Sequence, residues 1–279
     1  MGRGGRKDGR EPDPRRYQHE RGPFDLIGDV HGCAAELREL LALLGYVAGE
    51  DGVHRHPGGR KAVFVGDLVD RGPDIPDALR LVLGMVEAGV AYCAPGNHDD
   101  KYARLLAGRQ VKVSHGLEDT VEQVRALPGK EGSHLEARFR RWFQAMPWHL
   151  VLDGGNLVVA HAGIDARLVG QTGHRVRSRA LYGEVLGFEA SGLPIRRDWA
   201  ADYAGKAFVA YGHTPTLPAR VVNNTANIDQ GCVFGGYLTG LRYPEMEFVS
   251  VPSRGAWADT TEAFAVALRA AGREPLGIK

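Results

Sequence analysis

Short apolar runs along this chain end repeatedly in turns built from Gly, His, Asp or Asn. Phe24–Ile27 leads into Gly28-Asp29-Val30-His31-Gly32, and Ala62–Val65 into Gly66-Asp67-Leu68-Val69-Asp70-Arg71-Gly72. Val90–Ala94 leads into Gly96-Asn97-His98-Asp99, Leu157–Ala160 into His161-Ala162-Gly163, and Phe208–Tyr211 into Gly212-His213-Thr214. Runs this short, without apolar–polar alternation, suit strands buried on both faces. Between them the period becomes helical. Leu37, Leu40, Leu41 and Leu44 share a face that closes at Gly45. Pro76 opens a second such stretch, with Leu79, Val82, Leu83 and Val86 on one face and Gly89 as its stop.

The span from 101 to 148 carries Val121, Val124, Leu127, Phe139, Trp142, Phe143 and Met146, and predicts an all-helical insertion. Aromatic residues at this spacing read as core before they read as platforms for bases. Past His213 the pattern is strand-like at 219–222, 225–228, 237–241 and 247–251, and 261–271 reads as a last helix. Strands alternating with helices, then a β-rich half, predict an α/β sandwich. One folded unit is expected over 21–255, with a C-terminal helix and tail over 256–279. Residues 1–20 hold almost nothing apolar and predict a disordered, basic leader. Its Lys7-Asp8-Gly9 carries no catalytic reading there.

Composition narrows the function classes. At 25% charged and 43% apolar the chain is ordinary for a globular protein. Residues 1–21 carry seven basic side chains against four acids, which leaves 28 basic and 30 acidic side chains for the body. A body that is not basic gives no support for a duplex-binding surface. Cys33, Cys93 and Cys232 form no CxxC pair and read as reduced thiols, hence a cytoplasmic location. No run approaches the ~20 apolar residues that span a bilayer, and the N-terminus lacks the apolar core of a secretion signal. No membrane partner is expected.

The candidate chemistry sits just past the apolar runs, where open α/β sheets collect their ligands. Two cations about 3.5–4 Å apart need a bridging carboxylate, further oxygen and imidazole donors, and room for water. Asp67 is the candidate bridge. Asp29 and His31 would complete one set, and Asn97, His161 and His213 the other. Mixed imidazole and carboxylate donors suit Mn²⁺ first, with Fe, Zn²⁺ or Ni²⁺ as other occupants, rather than Ca²⁺ or Mg²⁺. Two such cations lower the pKa of the attacking water and neutralise phosphoryl oxygens. Arg71 offers a planar fork matched to phosphate. His98 is placed to protonate a leaving oxygen, and Asp70 to orient that imidazole. Arg179 is a further candidate for substrate phosphate, set against the plainer reading of a surface arginine.

GDVHG (28–32), GDLVDRG (66–72), GNHD (96–99), HAG (161–163) and GHT (212–214) resemble the five signatures of calcineurin-like metallophosphoesterases of the phosphoprotein-phosphatase type. That resemblance implies an α/β/β/α fold, a β-sandwich flanked by helices, with two metals at the sheet edge and the residue roles given above. VKVSHGLEDTVEQ (111–123), RALYGE (179–184), YGHTP (211–215) and NNTANIDQGCVFGG (223–236) are similar to the phosphatase module of bacterial polynucleotide kinase-phosphatase, and in part to diadenosine-tetraphosphatase-like enzymes. The resemblance adds Asp229 to the functional positions. It implies hydrolysis of 2′-, 3′- or 2′,3′-cyclic phosphate ends of RNA or nucleotides. Dinucleoside polyphosphates come second and phosphoproteins third, while a catalytically dead scaffold is disfavoured because no ligand is lost. No G-x-x-x-x-G-K-[ST] loop is present, so a kinase or ligase working alongside would be a separate partner. Oligomeric state is left open.

Overall fold

A computed structural model describes residues 11–189, 192 and 194–278. Strand β1 (Phe24–Ile27) is followed by helix α1 (Ala34–Leu44), a small hairpin of β2 (Val47–Ala48) and β3 (His54–Arg55), and then β4 (Lys61–Phe64), α2 (Ile75–Glu87) and β5 (Ala91–Cys93). Next come α3 (Asn97–Leu106), α4 (Leu117–Arg125) and α5 (Glu131–Ala145), which form the helical insertion. The second half runs β6 (Leu150–Leu152), β7 (Leu157–Val159), α6 (His174–Tyr182), β8 (Val185–Phe188), β9 (Pro194–Arg196) and β10 (Phe208–Tyr211). It closes with β11 (Arg220–Val222), β12 (Thr225–Asn227), β13 (Tyr237–Tyr243), β14 (Glu247–Pro252) and α7 (Glu262–Ala270).

Two five-stranded sheets result, ordered β14-β13-β1-β4-β5 and β11-β12-β10-β7-β6. In the first, β1, β4 and β5 are parallel; in the second, β7, β10 and β12 are parallel. The two-residue strand period divides the core. Phe24 and Leu26 of β1 face the second sheet, packing with Val63, Leu157, Val159 and Ala210, while Ile27 faces the helices with Phe64 and Cys93. Helices α1 and α2 cover the outer face of the first sheet. The α/β/β/α sandwich expected from the motifs is thus the fold.

Local signals act as read. Leu37, Leu40, Leu41 and Leu44 are buried, and Gly45 ends α1 in the left-handed region at φ 96°. Asp74 caps α2 by accepting from the backbone N–H of Asp77, with Pro76 in the first turn. Phe139, Trp142, Phe143 and Trp148 pack on one another in the core, not as base platforms.

The leader departs from expectation. Residues 1–10, with Lys7-Asp8-Gly9, lie outside the described residues, and residues 11–20, expected to be disordered, are ordered. A 3₁₀ turn over Pro14–Tyr17 is capped by Asp13, Arg15 donates to the Gly170 carbonyl (2.7 Å), and Arg16 donates to that of Ala145 (2.8 Å). Tyr17 packs on the Tyr92 ring at 4.7 Å. A polar segment is ordered here because its guanidinium groups find carbonyls that the body leaves unpaired. Among the described residues no helix is long and apolar enough to cross a membrane.

Candidate binuclear metal centre

Six strand ends from both sheets converge on one spot. The turn after β1 brings Asp29 and His31, that after β4 Asp67, Asp70 and Arg71, and that after β5 Asn97 and His98. From the second sheet come His161 after β7, His213 after β10 and Asp229 after β12. Close approach requires glycine at two of these turns. A Cβ at Gly96 would stand 2.0 Å from Asp67 Oδ1, and one at Gly212 2.1 Å from Asp29 Oδ1. Nine described non-glycine residues have positive φ, and five of them are His31, Asp67, Asp70, Arg71 and His213. Backbone strain is concentrated at the site, as functional turns tolerate when the surroundings over-determine them.

Asp67 stands between two groups of donors. Its Oδ2 lies 3.4 Å from His31 Nε2 and 3.3 Å from His161 Nε2. His161 Nε2 is in turn 2.9 Å from Asn97 Oδ1 and 3.1 Å from His213 Nδ1. Donors at about 2.1 Å from one cation, at right angles, stand ~3.0 Å from each other, so the second group has the spacing of a coordination shell. Two ligand-capable groups, His31–Asp67–His98 and Asp67–His161–His213, each fall within 4.8 Å and share Asp67. Asp29 Oδ1 is buried without a hydrogen-bond partner. Buried polar atoms left this way are costly unless something satisfies them. The residues fit divalent cations.

Asp29 reaches across to the second sheet: its Oδ2 accepts from the His213 backbone N–H (3.2 Å), and its Oδ1 lies 4.0 Å from His161 Nδ1.

The electrostatics agree. Burial, with Asp229 and Asp67 nearby, pushes the Asp29 carboxyl well above its usual range. Burial also opposes charge on Asp67, but His161 and His98 outweigh it and hold that carboxyl well below. Asp229 is pushed up to about 6 by burial, with Asp67 adding to it. Three carboxylates packed this tightly call for positive charge between them. Burial, then Arg71, drives His31 well below its usual pKa; burial, then His161, does the same to His213. Both imidazoles are neutral, as metal ligands must be. The Val69 carbonyl sits 2.7 Å from His31 Nδ1, which fixes the proton there and leaves the Nε2 lone pair for coordination. Arg71 Nη1 donates to that lone pair at 2.9 Å, and Nη2 donates to His98 Nε2 at 2.9 Å, so the fork spans both rings.

His98 Nδ1 is bonded to Asp70 Oδ2 at 2.6 Å, which orients the imidazole. Two supporting residues escaped the reading of the motifs. Asp99 accepts from the backbone N–H groups of Asp67 (2.9 Å), Leu68 (3.0 Å) and Gly96 (2.8 Å), fixing the turn that carries the bridge. Its signal was the last letter of GNHD. Thr120 donates to Asp70 Oδ1 at 2.6 Å and accepts from the Asp70 N–H at 2.9 Å. Arg179 is buried between two carboxylates. Its Nε donates to Asp165 and its Nη2 to Glu184, so its charge is balanced by two carboxylates. A roomier cavity of about 450 Å³ lies between α7 and β13–β14, but Tyr237 is the one titratable group in its lining.

A family model, calcineurin-like phosphoesterase, matches residues 22–243. The asymmetrical bis(5′-nucleosyl)-tetraphosphatase PrpE of Bacillus subtilis is 48% identical over 231 residues, covering 82% of this chain and 94% of its own length. Its counterpart in Geobacillus thermodenitrificans is 49% identical with the same coverage. A crystal structure of a "putative diadenosine tetraphosphatase" superposes with a TM-score of 0.61 at 25% identity, over 85% of this chain and 97% of that one. A cold-active protein-tyrosine phosphatase from a Shewanella species shares the fold, with a TM-score of 0.52 at 14% identity over 88% and 83% of the two chains.

Proposed function

The chain belongs to the calcineurin-like phosphoesterase family, and from that premise we propose that it hydrolyses dinucleoside polyphosphates of the bis(5′-nucleosyl) tetraphosphate class. One observation carries the chemistry: Asp67 is shared by two donor groups, 3.4 Å from His31 on one side and 3.3 Å from His161 on the other. The names of the relatives favour the substrate, and so reverse the order taken from the similarity to polynucleotide kinase-phosphatase over 111–123 and 223–236. Within the first of those segments Thr120 and Gly116 hold Asp70 and Arg71.

Asp29, His31, Asp67, Asn97, His161 and His213 would hold the two divalent cations, Mn²⁺ before Fe, Zn²⁺ or Ni²⁺. Cations in this set would supply Lewis acidity and an attacking water of lowered pKa. Arg71 turns its fork to the phosphoryl oxygens, where two parallel N–H bonds fix the group's orientation. With the Arg71 fork turned from the two rings to phosphate, His98 Nε2 would be free to pass a proton to the leaving phosphate oxygen, while its Nδ1 stays bonded to Asp70. Asp229 adds negative charge beside Asp29 and so strengthens the hold on the cations. Water and one dinucleoside tetraphosphate yield a nucleoside monophosphate and a triphosphate when the cut is asymmetrical.

The test is a panel assay with Mn²⁺ on diadenosine tetraphosphate, a 2′,3′-cyclic nucleotide, a 3′-phosphate oligonucleotide and a phosphopeptide. Diadenosine tetraphosphate should exceed the others in kcat/KM by about tenfold or more. A faster RNA end or phosphopeptide would overturn the substrate.

A further inference from the structure

A cleft of about 200 Å³ opens directly from the metal centre. Its walls are the base of the β8–β9 hairpin and the loop after β10, and His213 lines it. That volume is below the ~300–1,000 Å³ of a pocket that swallows a whole ligand. It suits a phosphate group rather than a nucleoside.

The charges lining it do not cancel. Arg196, Arg197 and Arg220 face Glu184 and Asp198 across the cleft. Arg197 pairs with Glu184 and with Asp202, and Arg220 pairs with Asp198. Arg196 is left over. Among the described residues it makes no ion pair; its Nη1 donates to the Tyr182 carbonyl, which supplies no charge. Half-buried and uncompensated, it is disfavoured by desolvation, and burial lowers its pKa. A guanidinium stays charged regardless. A desolvated cation kept beside a metal ligand, with no carboxylate to balance it, is what an anionic group would complete.

We propose that Arg196 binds a second phosphate of the substrate's polyphosphate chain, the one beyond the phosphoryl group held at the metal centre. The inference rests on the polyphosphate reading above. It gives that reading a physical basis for preferring a chain of phosphates to a lone monoester: a single phosphate fills the metal centre and leaves Arg196 bare.

Isothermal titration of the full-length, Mn²⁺-loaded protein with linear tripolyphosphate and with orthophosphate tests it. Arg196→Gln should weaken tripolyphosphate binding about tenfold, the scale of one lost charge-assisted hydrogen bond, and leave orthophosphate within about twofold. Arg196→Lys should recover part of the loss. With diadenosine tetraphosphate the KM of Arg196→Gln should rise about tenfold with kcat nearly unchanged, while p-nitrophenyl phosphate is unaffected. Equal weakening of both anions, or none for tripolyphosphate, overturns the assignment. Should Arg196→Gln fail to fold in a thermal melt, Arg196→Lys reads the same contrast, because it loses the fork and keeps the charge. A protein that binds tripolyphosphate through Arg196 yet does not cleave diadenosine tetraphosphate would remove the substrate and leave this subsite standing.

Discussion

His98 is bonded at both ring nitrogens, and the two bonds give it a direction. Asp70 anchors Nδ1 at 2.6 Å, while Arg71 meets Nε2, the nitrogen that faces the substrate side. A proton delivered from Nε2 matters in proportion to the basicity of the leaving oxygen. His98→Ala should therefore cut turnover of diadenosine tetraphosphate by about 10²–10⁴-fold, and that of p-nitrophenyl phosphate by less than about tenfold. Equal losses on the two substrates would remove His98 from the acid role. The five left-handed residues of the site make the same point about precision. Each turn holds its residue in a backbone conformation that costs of order 1–3 kcal/mol and is kept only because neighbours enforce it.

At the scale of elements, helix α4 is the least expected contributor. The helical insertion packs on α2, through α4 and α5. From the start of α4, Thr120 holds Asp70, Gln123 donates to the Gly72 carbonyl (2.9 Å) and accepts from the Ile75 N–H (2.8 Å), and the Gly116 carbonyl accepts from the Arg71 N–H (3.3 Å). A Cβ at Gly116 would fall 2.4 Å from Arg71 Cγ, so the contact is as tight as the chain allows. The insertion thereby fixes Asp70 and Arg71 together. Thr120→Val keeps the shape and deletes the hydroxyl, leaving a buried carboxylate oxygen unpaired at a stability cost of about 1–3 kcal/mol. It should also lower kcat for diadenosine tetraphosphate about tenfold while sparing p-nitrophenyl phosphate, and Thr120→Ser should restore both. A fall of equal size on the two substrates, with the melting temperature lowered, would reduce Thr120 to a structural residue.

At the scale of the whole molecule, the two sheets pack face to face, and the leader lies against β5 of one and β6 of the other. There His149 is buried beside Arg15, accepting from the Gly170 N–H at 2.8 Å. Burial, with Arg15 nearby, pushes its pKa down to about 3. In the unfolded chain the same imidazole takes a proton near pH 6.5. Between those values the unfolded state binds the extra proton, so the contribution is complete above pH 6.5 and is lost as pH falls toward 3. The slope reaches at most about 1.4 kcal/mol per pH unit from this one group. Urea melts at pH 7 and pH 5 should show His149→Gln losing less stability on acidification than the parent. Comparing the two proteins cancels the pH dependence of metal binding, which both share. Parallel losses would rule His149 out as the source.

The sequence by itself determined the sandwich and marked the six candidate ligands, because each lies in a local turn whose glycines and strand ends are legible within a few residues. It could not determine what those turns lean on. Asp99 bracing the bridge, Thr120 bracing Asp70, Arg179 paired with Asp165 and Glu184, and Arg196 unpaired beside His213 depend on contacts between segments brought together only by folding. Arg179 and Arg196 are alike as letters in a sequence. Tertiary structure alone decides which guanidinium is neutralised and which still has charge to offer, because that depends on which carboxylates the fold places beside it.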